Sequence, residues 1–376
     1  MDRRQFLLAA GAAGAALAIP SVTRAQNRRP RDRGAASFYV DAQGALDGFD
    51  EPEPGRYVPT QKLIDAIRER RIDLISGTVA PVGNGDHRYR DSVQGILEWD
   101  RLIAAHPTLL AKIESAADIR AARAAGKLGI VYNFQDTTAL EGDAARVDTF
   151  ATLGVKVIQL TYNKRNLAGD GCLERANAGL SDFGREVVAR INRANVLLDL
   201  SHAGPRTIAE GIAASTVSPA ITHSACRALT DHPRNTPDAE MRALADKGGV
   251  FGVYLMPFIR PRGQPVKEDL LRHLDHAVNV CGEDHVGIGT DNPFLGYELN
   301  DETRRRHREA TAERVRRGIA APNEDPEVML YVEGYNGGDR YDRIAADLRR
   351  RGWSAARVDK VMGDNFVRLF GQVWSG

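Results

Sequence analysis

Short apolar, β-rich runs alternate along the chain with longer stretches of helical periodicity. Eight such runs stand out, at residues 37–40, 72–79, 128–134, 155–161, 196–200, 219–222, 249–255 and 285–289. Runs of this length suit strands buried on both faces, although periodicity alone leaves buried helix open. The spacing between them predicts helices over 143–152, 181–193, 205–214, 238–247 and 267–280, and two more, 341–350 and 354–370, close the chain. Over 181–193, Phe183, Val187, Val188 and Ile191 share one face, and Ser181 is placed to cap the first turn.

A strand–helix unit repeated eight times predicts an α/β fold of the (β/α)8 TIM-type barrel kind, as one domain over 35–376. The rival is an open, doubly wound sheet. Polar residues follow most runs: Asp41, Gln135, Tyr162 and Asn163, Ser201 and His202, His223 and Ser224, then Thr290, Asp291 and Asn292. A barrel gathers its strand C-termini at one mouth, whereas an open sheet spreads them along an edge. No glycine-rich phosphate loop follows the first run, which also counts against a dinucleotide-binding sheet. The segment near 297–326 breaks the pattern with dense charge. Acids interleave with its arginines, which favours a solvated helix or lid over a nucleic-acid patch.

The N-terminus carries a different signal. Arg3 and Arg4 precede an apolar run, Pro20 ends that run, and Thr23-Arg24-Ala25 offers a small-x-small cleavage site. This is the order of an export signal over 1–25, and the arginine pair points to the twin-arginine (Tat) machinery as a partner. A membrane anchor is the alternative, but the run is shorter than the ~20 residues a bilayer span needs. Residues 26–34 are polar and basic and read as a disordered linker. The mature protein is therefore expected in the periplasm or outside the cell.

Charge and cysteine content narrow the function. The chain has 51 basic and 50 acidic residues, and losing the signal takes its formal charge from +1 to −1. That balance makes no electrostatic case for nucleic acid. Three cysteines, Cys172, Cys226 and Cys281, are too few and too odd for a disulfide framework. A homodimer is expected only on the general frequency of dimers.

His202 and His223 end consecutive runs, and Asp291 ends the last. Neutral imidazoles suit zinc, and a carboxylate can ligate it or take a proton from water. The other histidines lack this placement and read as surface or structural groups.

Several strings now resemble the membrane (renal) dipeptidase family, metal-dependent peptidases on an amidohydrolase-type barrel. They are NVLLDLSHAG (195–204), PAITHSACRALTDHPRNTPD (219–238), KGGVFGVYL (247–255) and HVGIGTDN (285–292), joined by LTYNKRN (160–166), GLSDFGREVV (179–188) and GDNFVRLFGQV (363–373). The resemblance runs from about Ser37 to the C-terminus. It implies a metallo-dependent hydrolase that cleaves dipeptides and typically holds two zinc ions. It makes His202 and His223 ligands of the second zinc, Asp291 the acid that handles protons, and Arg234 the anchor of the substrate carboxylate.

The chain also departs from the family. Gln43 and Ala45 stand where the family carries His-x-Asp, Gln135 where it carries the bridging glutamate, and Tyr162 where it carries the histidine that steadies the oxyanion. Ala45 cannot bind metal, and neutral amides such as Gln43 and Gln135 are poor substitutes. Tyr162 keeps a donor for a developing oxyanion. Cys172, in the GDGCLE loop, is a candidate extra ligand or a packing residue. The expectation is a divergent dipeptidase-like hydrolase with one zinc. The alternatives are a barrel acting on a cyclic amide or lactone and a non-catalytic binding protein.

Overall fold

The computed structural model describes residues 37–374 apart from 70 and 323. The export signal and linker lie outside the described residues.

Eight strands form the main path of the sheet. They are β1 (Val40–Asp41), β2 (Leu74–Thr78), β3 (Leu128–Phe134), β4 (Val155–Gln159), β5 (Leu197–Asp199), β6 (Ala220–Ser224), β7 (Val250–Val253) and β8 (Val286–Ile288). All are parallel and each pairs with the next along the path. The ring closes between β8 and β1 through single bonds: Ala42 N–H donates to Ile288 O at 3.1 Å, and Asp291 N–H to Gln43 O at 2.7 Å. This is the expected barrel, with all eight strands falling on or beside the apolar runs.

The helices surround it: α1 (Gln61–Arg68), α2 (Arg88–Ala105), α3 (Ala116–Ala124), α4 (Arg146–Thr152), α5 (Asp182–Arg193), α6 (Pro205–Ala214), α7 (Asp238–Asp246), α8 (Lys267–Cys281), α9 (Asp301–Arg316) and α10 (Arg340–Arg350). Ser181 caps α5 as expected, its side chain accepting from Gly184 N. The single helix expected over 354–370 is instead broken into Ala355–Asp359, a π-turn, and Asn365–Val373. The break has a packing cause: a Cβ on Gly363 would lie 2.4 Å from Phe38 O, so the chain passes there only as glycine.

Side-chain alternation along the strands divides the interior into layers. Val40, Leu74, Val131, Val157, Leu197, Ala220 and Val250 form one apolar cluster with Phe366, Leu369, Phe370 and Trp374 of the C-terminal helix. That helix thus plugs the N-terminal end of the barrel. Two residues further along the same strands, on the same faces, lie Ser76, Asn133, Gln159, Asp199 and Thr222, all buried. The interior becomes polar towards the mouth, and the mouth is the end left for chemistry. Glycine at 252 and 289 keeps β7 and β8 tight against β6, since a Cβ there would meet Thr222 O at 1.9 and 2.1 Å.

Asp41 does not face the mouth. Its carboxylate accepts from Thr290 N at 2.7 Å and Thr290 Oγ1 at 2.6 Å, beside the buried Arg340. Burial pushes its pKa from 3.8 up to about 7, against the pull of those donors and of Arg340. The folded state therefore holds a proton that the unfolded chain releases. The resulting stabilisation is full below the ordinary value and lost as pH rises through about 7. The wild type is expected to lose roughly 3 kcal/mol between about pH 5 and about pH 8 relative to Asp41→Asn. Urea midpoints at the two pH values check this, and parallel profiles would show that Asp41 is ionised throughout.

Candidate active site

His202 and His223 meet at the barrel mouth, with Nε2 to Nε2 at 3.0 Å and ring centroids 5.0 Å apart. A polar turn after β5 delivers the first. Asp199 Oδ1 accepts from Ser201 N at 2.9 Å and Ser201 Oγ at 2.7 Å, and the chain then takes a left-handed step, φ 60°, at His202. Asp291 takes the same step with φ 57°. Backbone of this kind is uncommon outside glycine and is held only where surrounding contacts enforce it. Asp199 also reaches β6, accepting from Thr222 N at 3.0 Å and Thr222 Oγ1 at 2.6 Å. One buried carboxylate thereby sets both histidine-bearing segments.

The outer nitrogens of the pair have defined partners. Asn163 Nδ2 donates to Ile319 O at 2.7 Å, which turns its Oδ1 towards His202 Nδ1, 2.7 Å away. Thr222 gives its hydroxyl proton to Asp199, so its oxygen accepts from His223 Nδ1 at 2.9 Å. Each Nδ1 therefore carries the proton in the neutral ring, and each Nε2 presents a lone pair. Burial, followed by the Arg234 charge, holds both pKa values well below 6.5. Two bare nitrogens at this separation repel unless a cation lies between them, and borderline-soft nitrogen donors suit zinc. The pair supplies two nitrogen donors of the kind that zinc takes. Among the described residues, no group of three or more His, Cys, Asp or Glu side chains could hold a metal ion.

Cationic and aromatic groups surround the pair. Tyr162 stacks on His202, with centroids 4.1 Å apart and planes at 26°. Arg234 is 4% exposed, and no carboxylate of the described residues pairs with it. Its Nη2 donates to His223 O at 3.5 Å, and its guanidinium lies over the Tyr254 ring at 5.6 Å. Asp291 is half-buried; desolvation raises its pKa, while Arg234 and Arg314 pull it down. Cys172 is close by: its N–H donates to His202 O at 2.7 Å and its thiol to Asn163 Oδ1 at 3.4 Å. Burial pushes that thiol up to about 11, so it stays protonated at neutral pH.

Gln43 belongs to a different group. Its Nε2 donates to Thr78 Oγ1 at 3.2 Å, its Oε1 accepts from Asn133 Nδ2 at 3.0 Å, and Thr78 donates to Asn133 Oδ1 at 3.1 Å. Asn133 Nδ2 also donates to Ser76 Oγ at 2.8 Å. Neutral amides and hydroxyls close a ring there, on the strands where the resemblance places the first zinc. Ala45 bridges to Pro293, and the Gln135 carbonyl accepts from Gln159 Nε2.

Sequence reasoning missed Arg314 and Glu324. They sit in the charged segment, where nothing distinguishes them from their solvated neighbours. A cavity of about 650 Å³ beside this segment is lined by Lys164, Cys172, Pro233, Val315, Ala320 and Pro322.

A parallel barrel with this polar mouth is a metallo-dependent hydrolase-like fold. The chain belongs to the membrane dipeptidase family (peptidase family M19), whose pattern matches residues 66–321. A twin-arginine translocation signal matches residues 1–20. The dipeptidase tcpJ of Claviceps purpurea is 25% identical over 347 residues, covering 86% of this chain and 73% of that protein. An amidohydrolase from Pseudomonas aeruginosa is 31% identical with a TM-score of 0.77, covering 90% of this chain and 97% of that one. A Rhodobacter sphaeroides metallo peptidase, solved with a phosphinate mimic of L-Ala-D-Ala, shares the fold. Its TM-score is 0.71 at 17% identity, over 90% of this chain and 100% of that one. The chain is thus an exported, dipeptidase-like hydrolase of a metallopeptidase family.

Proposed function

We propose that the protein cleaves the amide bond of a dipeptide or related small amide with a free carboxylate, using one zinc ion at His202 and His223. The observation that carries this reading is the pair of bare Nε2 atoms 3.0 Å apart beside a buried Arg234 that no carboxylate of the described residues pairs with. When bound, the cation supplies Lewis-acid polarisation and makes water more acidic. Arg234 takes the substrate carboxylate in its planar fork, which also neutralises the buried guanidinium. Asp291 accepts the proton of the attacking water, its raised pKa bringing it closer to the working pH of a general base. Tyr162 donates to the oxygen on which charge develops. The neutral ring around Gln43 offers no anionic ligand for a second cation.

Metal content and turnover, measured on protein purified from its export route, test this together. About one zinc per chain and hydrolysis of dipeptides support it. Two per chain overturn the single-ion reading, and no turnover of dipeptides or small amides with zinc, manganese or cobalt overturns the enzyme. Arg234→Ala is expected to raise KM about 100-fold for substrates with a free carboxylate and to spare amidated ones.

A further inference from the structure

Helix α9 ends over the barrel mouth. Arg314, in its last turn, is gripped by Glu324: Nε donates to Oε2 and Nη2 to Oε1, each at 2.8 Å. Ala321 N in turn donates to Glu324 Oε1 at 2.7 Å. The free arm of Arg314, Nη1, donates to the Tyr162 hydroxyl oxygen at 3.0 Å. Ile319 O holds Asn163, and Pro322 O lies 2.9 Å from His232 Nε2. Two of the side chains that touch His202, Tyr162 on its ring face and Asn163 at its Nδ1, are therefore fixed from this segment.

The contact has a chemical consequence. A phenol oxygen that accepts from a guanidinium directs its own proton elsewhere, and no bond to a described residue takes that proton. A hydroxyl that accepts one hydrogen bond is also polarised to donate the next one along the chain. Arg314 is itself paired with Glu324, whereas no carboxylate of the described residues forms an ion pair with Arg234, which is left for a substrate carboxylate.

We propose that Arg314, in the last turn of α9, is a positioning residue of the hydrolytic site. It aims the Tyr162 O–H at the oxygen that gains charge when the amide carbonyl is attacked. This rests on the amide-hydrolase reading above and adds a physical link between α9 and the reaction.

A double-mutant cycle tests the link. Tyr162→Phe is expected to lower kcat about 100-fold with little change in KM. Arg314→Met should lower kcat at least about 10-fold, and Arg314→Lys, which keeps a cationic N–H donor, should recover part of that. Because Arg314 acts through the phenol, Tyr162→Phe with Arg314→Met should be no slower than Tyr162→Phe alone. Arg316→Ala, on the exposed side of α9 where it pairs with Glu313, is the control expected to change nothing. Thermal midpoints of each variant separate loss of fold from loss of function.

A readout independent of turnover is the fluorine resonance of fluorotyrosine incorporated at position 162. It should move in Arg314→Met and stay in place in Arg316→Ala. An active wild type combined with multiplicative losses, or with an unmoved resonance in Arg314→Met, overturns the role of Arg314 alone. A wild type that hydrolyses no small amide overturns the hydrolytic reading and this role with it.

Discussion

Asp291→Asn is expected to lower kcat about 1,000-fold while leaving bound zinc and thermal stability nearly unchanged. An amide matches the carboxylate in size but cannot accept the proton of the attacking water at neutral pH. The site favours such a base. Asp291 follows β8 with a left-handed backbone, φ 57°, and its N–H is tied to Gln43 O at 2.7 Å, so substitution of the side chain leaves this anchor intact. Burial raises its pKa, and Arg234 and Arg314 limit the rise. The wild-type rate should therefore fall as pH drops through that raised value, because the protonated acid is no longer a base. Steady-state kinetics, elemental analysis and melting curves on one preparation check the prediction. Equal turnover by the variant would remove Asp291 from the proton-transfer step.

His202→Ala and His223→Ala should each abolish zinc binding and cut turnover more than about 100-fold. With either imidazole removed, the single remaining nitrogen cannot hold the cation against water. Zinc binding to the folded state should raise the wild-type Tm and leave that of either variant unmoved. The pH dependence has a definite sign. Both histidines have folded pKa values held well below 6.5, so the folded pair resists protons that the unfolded chain accepts. Their contribution to stability is present above the ordinary value and is lost as pH falls below it. Stability should thus decline on the acid side in the wild type and less steeply in each variant. Stoichiometric zinc with unimpaired turnover in either variant would place the cation elsewhere.

Much of the barrel was legible because parallel strands buried on both faces are nearly continuous apolar runs, and such runs have few other uses. The elements that escaped notice lack that contrast. The hairpin Phe49–Glu53 with Arg56–Pro59 is largely exposed and contains Pro52 and Pro54, residues that argue against a strand. Helix α2 begins after His87, at φ 60° and with no side-chain cap, so its start carries no local signal. The strand Leu110–Lys112 has three residues and joins only the flank of β3.

Local sequence determined the strand order of the chemistry: which residues end each run, and so which side chains a closed barrel would gather. It also set neutral side chains at Gln43, Ala45 and Gln135, since residue identity alone decides whether a side chain can carry charge. Only the tertiary structure decided what surrounds them and which nitrogens face each other. The ring joining Gln43, Thr78 and Asn133 crosses three strands, and the lone pairs of His202 and His223 are aimed by partners from elsewhere in the chain. Arg314 meets Tyr162 across 152 positions of sequence. A guanidinium in a run of solvated arginines has no local mark of such a role, because hydrogen-bond geometry between distant segments exists only once the chain has closed on itself.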